Sequence, residues 1–544
     1  MGFMTDILFG QSYFLRFDPK LWEAMQPFPP LGTLYAASLM RQRGYTVALF
    51  DAMLAESEGE WEAELERHHP RFAVLFDDNF NYLSKMCLLR MRQAAMTMIA
   101  AARKHGCTVI VCSADATDHA SLYLEQGADF IVIGEGEHTL GELLDHLSGR
   151  TTNPLEEILG LVWKSRPATP DLLTPNLLTP NSLVSNSQTP RRPDIRDLDE
   201  LPFPAWDLVN IPLYRRIWLE RHGYYAMNMA TTRGCPFHCN WCAKPIWGQR
   251  YNVRSAENVV AELKWLKDNY QPDFIWFVDD IFGLKPGWLE RFAALVERQN
   301  AGVPFKCLSR VDLLLRPGEI AALKRAGAAL VWVGAESGSQ AILDAMDKGT
   351  RVEQISQAAH QLKAAGIQVG FFLQFGYPGE TRQDIERTLQ MVRDCQPDDI
   401  GMSVSYPLPG TKFYAAVKEQ LGAQQNWYDS EDLAMLYRGP FTTAFYRQLH
   451  VALHREFRLR KAWRAFLRPR ETKGPIGYPR QPGTTSSTLR LRLRSLAQAI
   501  YYLARLPFDR VKLERLARLP HTGIQPLPRS LSPEEAARPS PQAE

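Results

Sequence analysis

The sequence predicts an α/β chain: a doubly wound parallel sheet, then a partial (β/α)6 barrel of TIM type, then a mostly helical C-terminal cap. Three observations carry this. Short apolar runs alternate with helix-length amphipathic stretches in two separate series. A segment rich in Pro, Thr, Ser and Asn divides the series, and three closely spaced cysteines follow the first strand of the second one. With 544 residues, 45% of them hydrophobic, the chain is long enough for roughly three cores of ordinary size.

In the first series, residues 1–150, strands are expected at Asp6 to Gly10, Thr46 to Phe50, Phe72 to Phe76, Thr108 to Cys112 and Phe130 to Ile133. A helix from Leu31 to Arg43 stops at Gly44, which suits a helix end. In such a sheet, ligands lie beyond the carboxyl ends of the strands, so the loops starting near Gly10, Asp51, Asp77, Ser113 and Gly134 are the ones that matter. Residues 151–220 read as a linker and extended arm. Low complexity is concentrated near 165–195, where Asp171 to Asn181 is a near-repeat. The second series, 221–418, places strands at Tyr225 to Ala230, Phe274 to Val278, Phe305 to Ser309, Leu330 to Gly334, Val369 to Phe375 and Ile400 to Ser405. Six βα units in succession make a partial barrel, whose chemistry gathers at the carboxyl ends of its strands.

Cys235, Cys239 and Cys242 form Cys-x3-Cys-x2-Cys directly after the first barrel strand. A closed zinc site takes four ligands, and the nearest spare, His238, lies between the cysteines, where it does not easily join their face. A disulfide framework calls for an oxidising compartment, whereas the chain has 8 cysteines in 544 residues and no stretch that reads as a signal peptide. Three thiolates holding a 4Fe-4S cluster leave one iron without a protein ligand, free to hold a small molecule and pass it an electron. Cys87, Cys107, Cys112, Cys307 and Cys395 are scattered singly and read as small buried hydrophobes.

On these residues the chain resembles the radical S-adenosylmethionine superfamily, in its branch with an N-terminal cobalamin-binding domain. The signature Cys-x3-Cys-x-aromatic-Cys is matched by Cys235, Cys239, Trp241 and Cys242. The resemblance implies a 4Fe-4S cluster on the three cysteines and S-adenosylmethionine on its open iron, against Trp241. Asp279 and Asp280, which could also cap a helix, are implied to meet the methionine ammonium. Arg310 would meet the carboxylate or else lie at the surface. Glu336, in Gly334-Ala335-Glu336-Ser337-Gly338, would take the ribose. Gln374 and Pro378, in the run Gln374 to Thr381, and Leu408, in Tyr406 to Thr411, would lie along the adenine unless they only form capped turns.

The first domain resembles the cobalamin module in Pro29-Pro30-Leu31-Gly32 and in Gly127 to Glu137. It lacks the Asp-x-His-x-x-Gly element that supplies a lower histidine to cobalt elsewhere, which implies cobalamin held without such a ligand. Asp77, Asn79, Ser113, Ala114, Gly134, Glu135 and Gly136, together with the loops Asp77 to Tyr82 and Ser113 to Thr117, are the expected contacts.

The leading functional reading from this resemblance is a cobalamin-dependent radical methyltransferase acting on an unactivated carbon through a 5′-deoxyadenosyl radical and methylcobalamin. A non-methylating oxidative cyclase or rearrangement enzyme, like the anaerobic magnesium-protoporphyrin ester cyclases, is the alternative. A non-catalytic iron-sulfur module is the third reading. No catalytic residue is assigned. A small-molecule substrate, with a lipid or a tetrapyrrole among the candidates, and an external electron donor such as flavodoxin or ferredoxin are the expected partners. No nucleic-acid recognition motif is present. No apolar run reaches the length of about 18 residues that suggests a membrane span, and the cytoplasm is the expected compartment.

Residues 419–520 are expected to form the helical cap over the barrel mouth, with Trp427, Tyr428, Tyr437, Phe441, Phe445 and Tyr446 as pocket walls or, more simply, core. His450 and His454 share a helix face and read as surface residues. The net charge of +3 conceals a basic end: Val451 to Glu544 carries 19 Lys or Arg against 7 Asp or Glu. Within it, Arg490 to Leu519 reads first as a helix packed on the cap, with an anionic membrane surface as the alternative. Residues 521–544, rich in Pro and Ser, read as a disordered tail.

Overall fold

The computed structural model describes residues 5–86, 88–165, 185–242, 246–467 and 488–519. The first apolar runs form β1 (Ile7–Gly10), β2 (Val47–Leu49), β3 (Phe72–Phe76), β4 (Thr108–Cys112) and β5 (Phe130–Val132), all parallel in the order β2-β1-β3-β4-β5. Both faces are buried, which is why the strands read as continuous apolar runs. Successive residues serve opposite layers. Ile7, Phe9, Phe72, Val74, Phe76 and Ile110 join a core that continues into the barrel. Leu8, Ala73, Leu75, Val109 and Val111 face a second cluster containing Trp61, Met98 and Ile99.

The linker expectation needs correcting. The sheet continues through β6 (Leu161–Ser165) and β7 (Ser185–Gln188), both antiparallel. β7, Ser-Asn-Ser-Gln, shows no apolar pattern because it is an edge strand that pairs only through its backbone with β6. Thr189 pins the pair, donating from Oγ1 to the Ile158 carbonyl at 2.7 Å and accepting from the Leu161 amide at 2.9 Å. The near-repeat Asp171 to Asn181, Cys87 and the tail 521–544 lie outside the described residues.

The second sheet begins with β8 (Ala226–Met229). A short antiparallel pair, β9 (Thr232–Arg233) and β10 (Asn252–Val253), closes the base of the cysteine loop. Then come β11 (Phe274–Phe277), β12 (Phe305–Ser309), β13 (Ala328–Glu336), β14 (Gln368–Phe375) and β15 (Asp399–Val404), parallel in the order β8-β11-β12-β13-β14-β15. Val331, Val333, Val369, Phe371, Leu373 and Ile400 are buried on the outer face. The alternate positions Trp276, Lys306, Leu308, Trp332 and Phe372 line the inner face, where burial is incomplete and Phe372 stays 38% exposed.

The C-terminal helices Thr443–Leu467 and Thr488–Ala517 pack side by side along the β15 edge rather than over the mouth. Arg393 Nε to Glu456 Oε1 at 2.7 Å and Lys461 Nζ to the Asp398 carbonyl at 3.4 Å fix the first of them there. The mouth is instead approached by the irregular segment 421–442. It accepts the Leu89 amide on the Trp427 carbonyl at 2.8 Å and reaches the Gly376 carbonyl through the Tyr437 hydroxyl. Phe441, Phe445 and Tyr446 pack on one another, with centroids 4.3 to 6.2 Å apart, as core. His450 and His454 are not surface groups. They are half-buried with rings 4.3 Å apart, and burial lowers their pKa values to about 4 and about 3.

Candidate active site

The cysteine loop owes its shape to tight backbone turns and to anchors on later strands. Gly234 is left-handed at φ +80°, and a Cβ there would lie 2.4 Å from the Arg250 carbonyl oxygen. Asn240 donates its amide to the Met346 carbonyl at 3.0 Å and its side-chain nitrogen to the Ala345 carbonyl at 2.7 Å, while Tyr377 donates to its Oδ1 at 2.9 Å. Cys235, Cys239 and Cys242 are not in disulfides, the first two buried and the third half-buried. Trp241 is half-buried between the last two. Among the described residues, no three His, Cys, Asp or Glu side chains are grouped to hold a single metal ion.

Cations surround Cys239. Arg310 is buried, not at the surface. Its guanidinium lies 3.6 Å over the Phe237 ring, donates to the Lys348 carbonyl at 3.0 Å and to Asp312 at 3.0 Å, and approaches the Cys239 sulfur at 3.9 Å. Lys348, on a loop that carries no sequence signal, donates to Glu336 Oε1 at 2.8 Å. Burial opposes its charge, yet Glu336 foremost and Cys239 after it hold its pKa above the ordinary value. Glu336 itself sits at a bulge ending β13, left-handed at φ +56°, a conformation costing on the order of 1–3 kcal/mol in a residue with a side chain. Gly334 makes room for this arrangement, since a Cβ there would lie 2.5 Å from the Glu336 carboxylate.

Of the two acids ending β11, Asp279 is occupied. Its carboxylate accepts the Thr231 amide at 2.7 Å, the Thr231 hydroxyl at 2.6 Å and the Thr232 amide at 2.9 Å, while burial lifts its pKa to about 6. It ties the start of the cysteine loop to the loop after β11. Asp280, one residue on, is half-buried. Gln374 is buried and donates to Ser405 Oγ at 3.1 Å; Leu408 is buried; Pro378 is exposed at the turn. Below that turn Glu380 accepts the Gly376 amide at 2.6 Å, and burial raises its pKa to about 8.

The residues expected at the N-terminal strand ends divide in two. Asp77 accepts from the Ser12 amide at 2.7 Å and hydroxyl at 3.0 Å, and Ser113 caps the next helix through the Ala116 amide at 2.9 Å, so both are spent on loop shape. Ala114 is buried, and Gly134 and Gly136 are left-handed, at φ +88° and +94°. Glu135 faces the barrel. With Glu137 it forms a buried ion pair to Arg233 of β9, at 3.3 and 2.6 Å. By contrast, Gln11 after β1, Asn79 after β3 and Ser84 keep buried polar atoms without a hydrogen-bond partner. Gln11 and Asn79 flank the β1/β3 switch point of the sheet, where doubly wound folds take their ligands.

Tyr82 ends the Asp77 to Tyr82 loop. It is 52% exposed and opens the helix Tyr82–Met86, whose Met86 carbonyl accepts from the Tyr406 hydroxyl of the barrel at 3.2 Å. No local signal in the sequence picks out Lys348 or Arg233, because each acts across a junction between distant segments.

Residues 229–392 match the radical SAM superfamily. The chain is 27% identical to an uncharacterized methyltransferase of Pyrococcus horikoshii, over 81% of this chain and 94% of that one. It is also 27% identical to the anaerobic magnesium-protoporphyrin IX monomethyl ester cyclase of Rubrivivax gelatinosus, over 56% of this chain and 51% of that one. The fold is that of OxsB, a cobalamin-dependent S-adenosylmethionine radical enzyme solved with aqua-cobalamin and S-adenosylmethionine, at TM-score 0.62 and 14% identity over 95% of this chain and 83% of that one. The six parallel strands, the cysteine loop after the first of them and the match over 229–392 agree: the chain carries a radical SAM domain and is an enzyme.

Proposed function

We propose that the chain is a cobalamin-dependent radical methyltransferase acting on a carbon of a small molecule. The observation that carries this reading is the buried pairing of Arg233, at the base of the cysteine loop, with Glu135 and Glu137 beyond the end of β5, at 3.3 and 2.6 Å. It brings strand ends of the two sheets together, as a reaction with two cofactors and one substrate requires.

The residues fit the groups implied. Three cysteines on one loop, none in a disulfide, are the donor set of a 4Fe-4S cluster, and the Arg310 guanidinium, 3.9 Å from the Cys239 sulfur, supplies positive charge beside it. The orphaned polar atoms of Gln11, Asn79 and Ser84 fit a large polar ligand at the switch point, so cobalamin belongs there in this reading. When bound, the cluster supplies the electron that cleaves S-adenosylmethionine, and cobalamin supplies the methyl group. An external one-electron donor completes the system.

The chain's own residues then orient and exclude. Asp280 and Arg310 stand at the ends of β11 and β12 to take the ammonium and carboxylate of the methionine moiety, and Glu336, steadied by Lys348, takes ribose hydroxyls. The substrate sits on the inner barrel face. There Trp332 and Phe372 stack at 4.6 Å, and Lys306, 4.3 Å from the Trp276 ring centre, has its pKa brought down to about 8 by burial. Segment 421–442 limits entry of water.

The test is an anaerobic assay of the reconstituted full chain that counts 5′-deoxyadenosine, S-adenosylhomocysteine and methylated product. Deoxyadenosine together with S-adenosylhomocysteine and methylated product is expected. Deoxyadenosine with an oxidised, unmethylated product carrying oxygen from labelled water would replace this reading with the cyclase one, which the Rubrivivax relative favours.

A further inference from the structure

Helix Thr488–Ala517 has two apolar faces, and the described residues cover only one. Ala499, Leu506 and Leu513, seven residues apart in each step, are buried against helix Thr443–Leu467. On the opposite side Leu493, Ile500, Phe508 and Val511 are 58, 59, 74 and 71% exposed. At 100° per residue these four fall within one stripe. Arg494, Arg505 and Lys512 run along one border of that stripe, and Arg492 and Arg510 along the other. The acids of the helix do not offset them. Asp509 is buried in a pair with Arg455 at 2.6 Å, and Glu514 is paired with Arg382 of the barrel at 2.6 Å. Outward, therefore, the helix shows an apolar stripe between two basic rows.

From this arrangement we propose that helix Thr488–Ala517 docks the enzyme on the surface of an anionic membrane, its stripe among the acyl chains and its arginines at the headgroups. Charge decides among the occupants. A second copy would bring two sets of basic rows together with no acid to meet them, and the chain's own segment 468–487 is itself basic. A nucleic acid would match the charge but leave the stripe against phosphates. Only an anionic lipid surface satisfies both rows and stripe at once. The described residues contain no helix long and apolar enough to cross a membrane, so the contact lies in the interface plane. It would also deliver an amphiphilic substrate to the barrel without release into water.

Co-sedimentation of the full chain with vesicles tests this. The parent is expected to pellet with vesicles of phosphatidylglycerol and phosphatidylcholine in equal parts, to stay in solution with phosphatidylcholine alone, and to lose binding as salt rises. The double variant Phe508→Ser, Val511→Ser is expected to fall in bound fraction by about tenfold or more at an unchanged melting temperature. Arg505→Glu with Lys512→Glu is expected to weaken binding similarly. Three outcomes overturn the proposal. One is a parent that stays in solution with anionic vesicles. Another is a serine variant that binds as the parent does. The third is a serine variant that, in lipid-free solution, melts well below the parent or dissociates a parent dimer, which would assign the stripe to the chain itself or to a second copy.

Discussion

At the barrel's strand ends the polar groups are charged and crowd the cysteines: Arg310, Glu336 and Lys348 stand within reach of one another and of Cys239. At the strand ends of the N-terminal sheet the charged groups are spent inside the protein. Asp77 is on Ser12, Asp115 on Arg92 at 2.6 Å, and Glu135 on Arg233. What remains without a partner there is mostly neutral: Gln11, Asn79 and Ser84, beside one oxygen of Glu137 whose other oxygen is paired with Arg233. The difference teaches that a site for a zwitterionic sulfonium and a thiolate cluster needs fixed charge, which only a few residue types provide. A site for a large ligand with an amide-rich rim can be built from neutral donors and acceptors scattered over several loops. The first kind of site leaves a motif. The second does not.

The largest effect should follow from removing the barrel's metal ligand. Cys239→Ala is expected to bring S-adenosylmethionine cleavage down to background and to remove the iron-sulfur absorbance, while cobalamin uptake, read by its visible spectrum, persists. Loss of both together would show that the two strand-end sites do not assemble independently.

Next in size is the joint between the sheets. Arg233→Met leaves Glu135 and Glu137 buried without their cation, a change worth about 3–5 kcal/mol in such pairs. Denaturant unfolding is expected to show that loss. A shift below about 1 kcal/mol would mean that water reaches the pair and the joint is loose.

The barrel's turn adds a pH signature. Glu380 has a folded pKa raised from 4.5 to about 8, with burial as the main cause. Between those values the folded chain holds a proton that the unfolded chain has released. This group's contribution is therefore complete below about pH 4.5 and is lost as pH rises toward 8, a swing on the order of 4 kcal/mol or less. Glu380→Gln keeps an acceptor for the Gly376 amide and removes the titration. Its stability relative to the parent is expected to grow from pH 5 to pH 8, and a parallel pair of stability curves would place Glu380 in contact with solvent.

How much was visible beforehand follows the same division. All eleven expected strands form, because runs such as Phe72 to Phe76 and Val369 to Phe375 are buried hard enough to dictate period and length. The cysteine loop, Arg310 and Glu336 could be named because their chemistry is carried by residue type. β7 could not, since an edge strand needs only its backbone. Asp279 and Asp280 look alike in sequence, and only the fold shows that Asp279 holds Thr231 and Thr232 at the start of the cysteine loop. Lys348 and Arg233 depend on how distant segments meet, and no local pattern reports that.

The smallest effect bears most directly on the neutral site. Gln11 is buried with both side-chain polar atoms unpartnered, so the folded chain without a ligand bears their desolvation, about 1–3 kcal/mol for a group of this kind. Replacing it by an apolar residue of similar volume removes that cost. Gln11→Leu is thus expected to raise the stability of the cofactor-free chain by about 1 kcal/mol and to weaken cobalamin binding by about tenfold, with the iron-sulfur spectrum unchanged. A group kept at the expense of stability is one kept for a ligand, and the two measurements separate that from packing. If Gln11→Leu instead lowers stability and leaves cobalamin titration untouched, the orphaned atoms are filled by ordered water in the free protein. The switch point of the first sheet would then be structural, and the cofactor's seat would have to be sought nearer Tyr82.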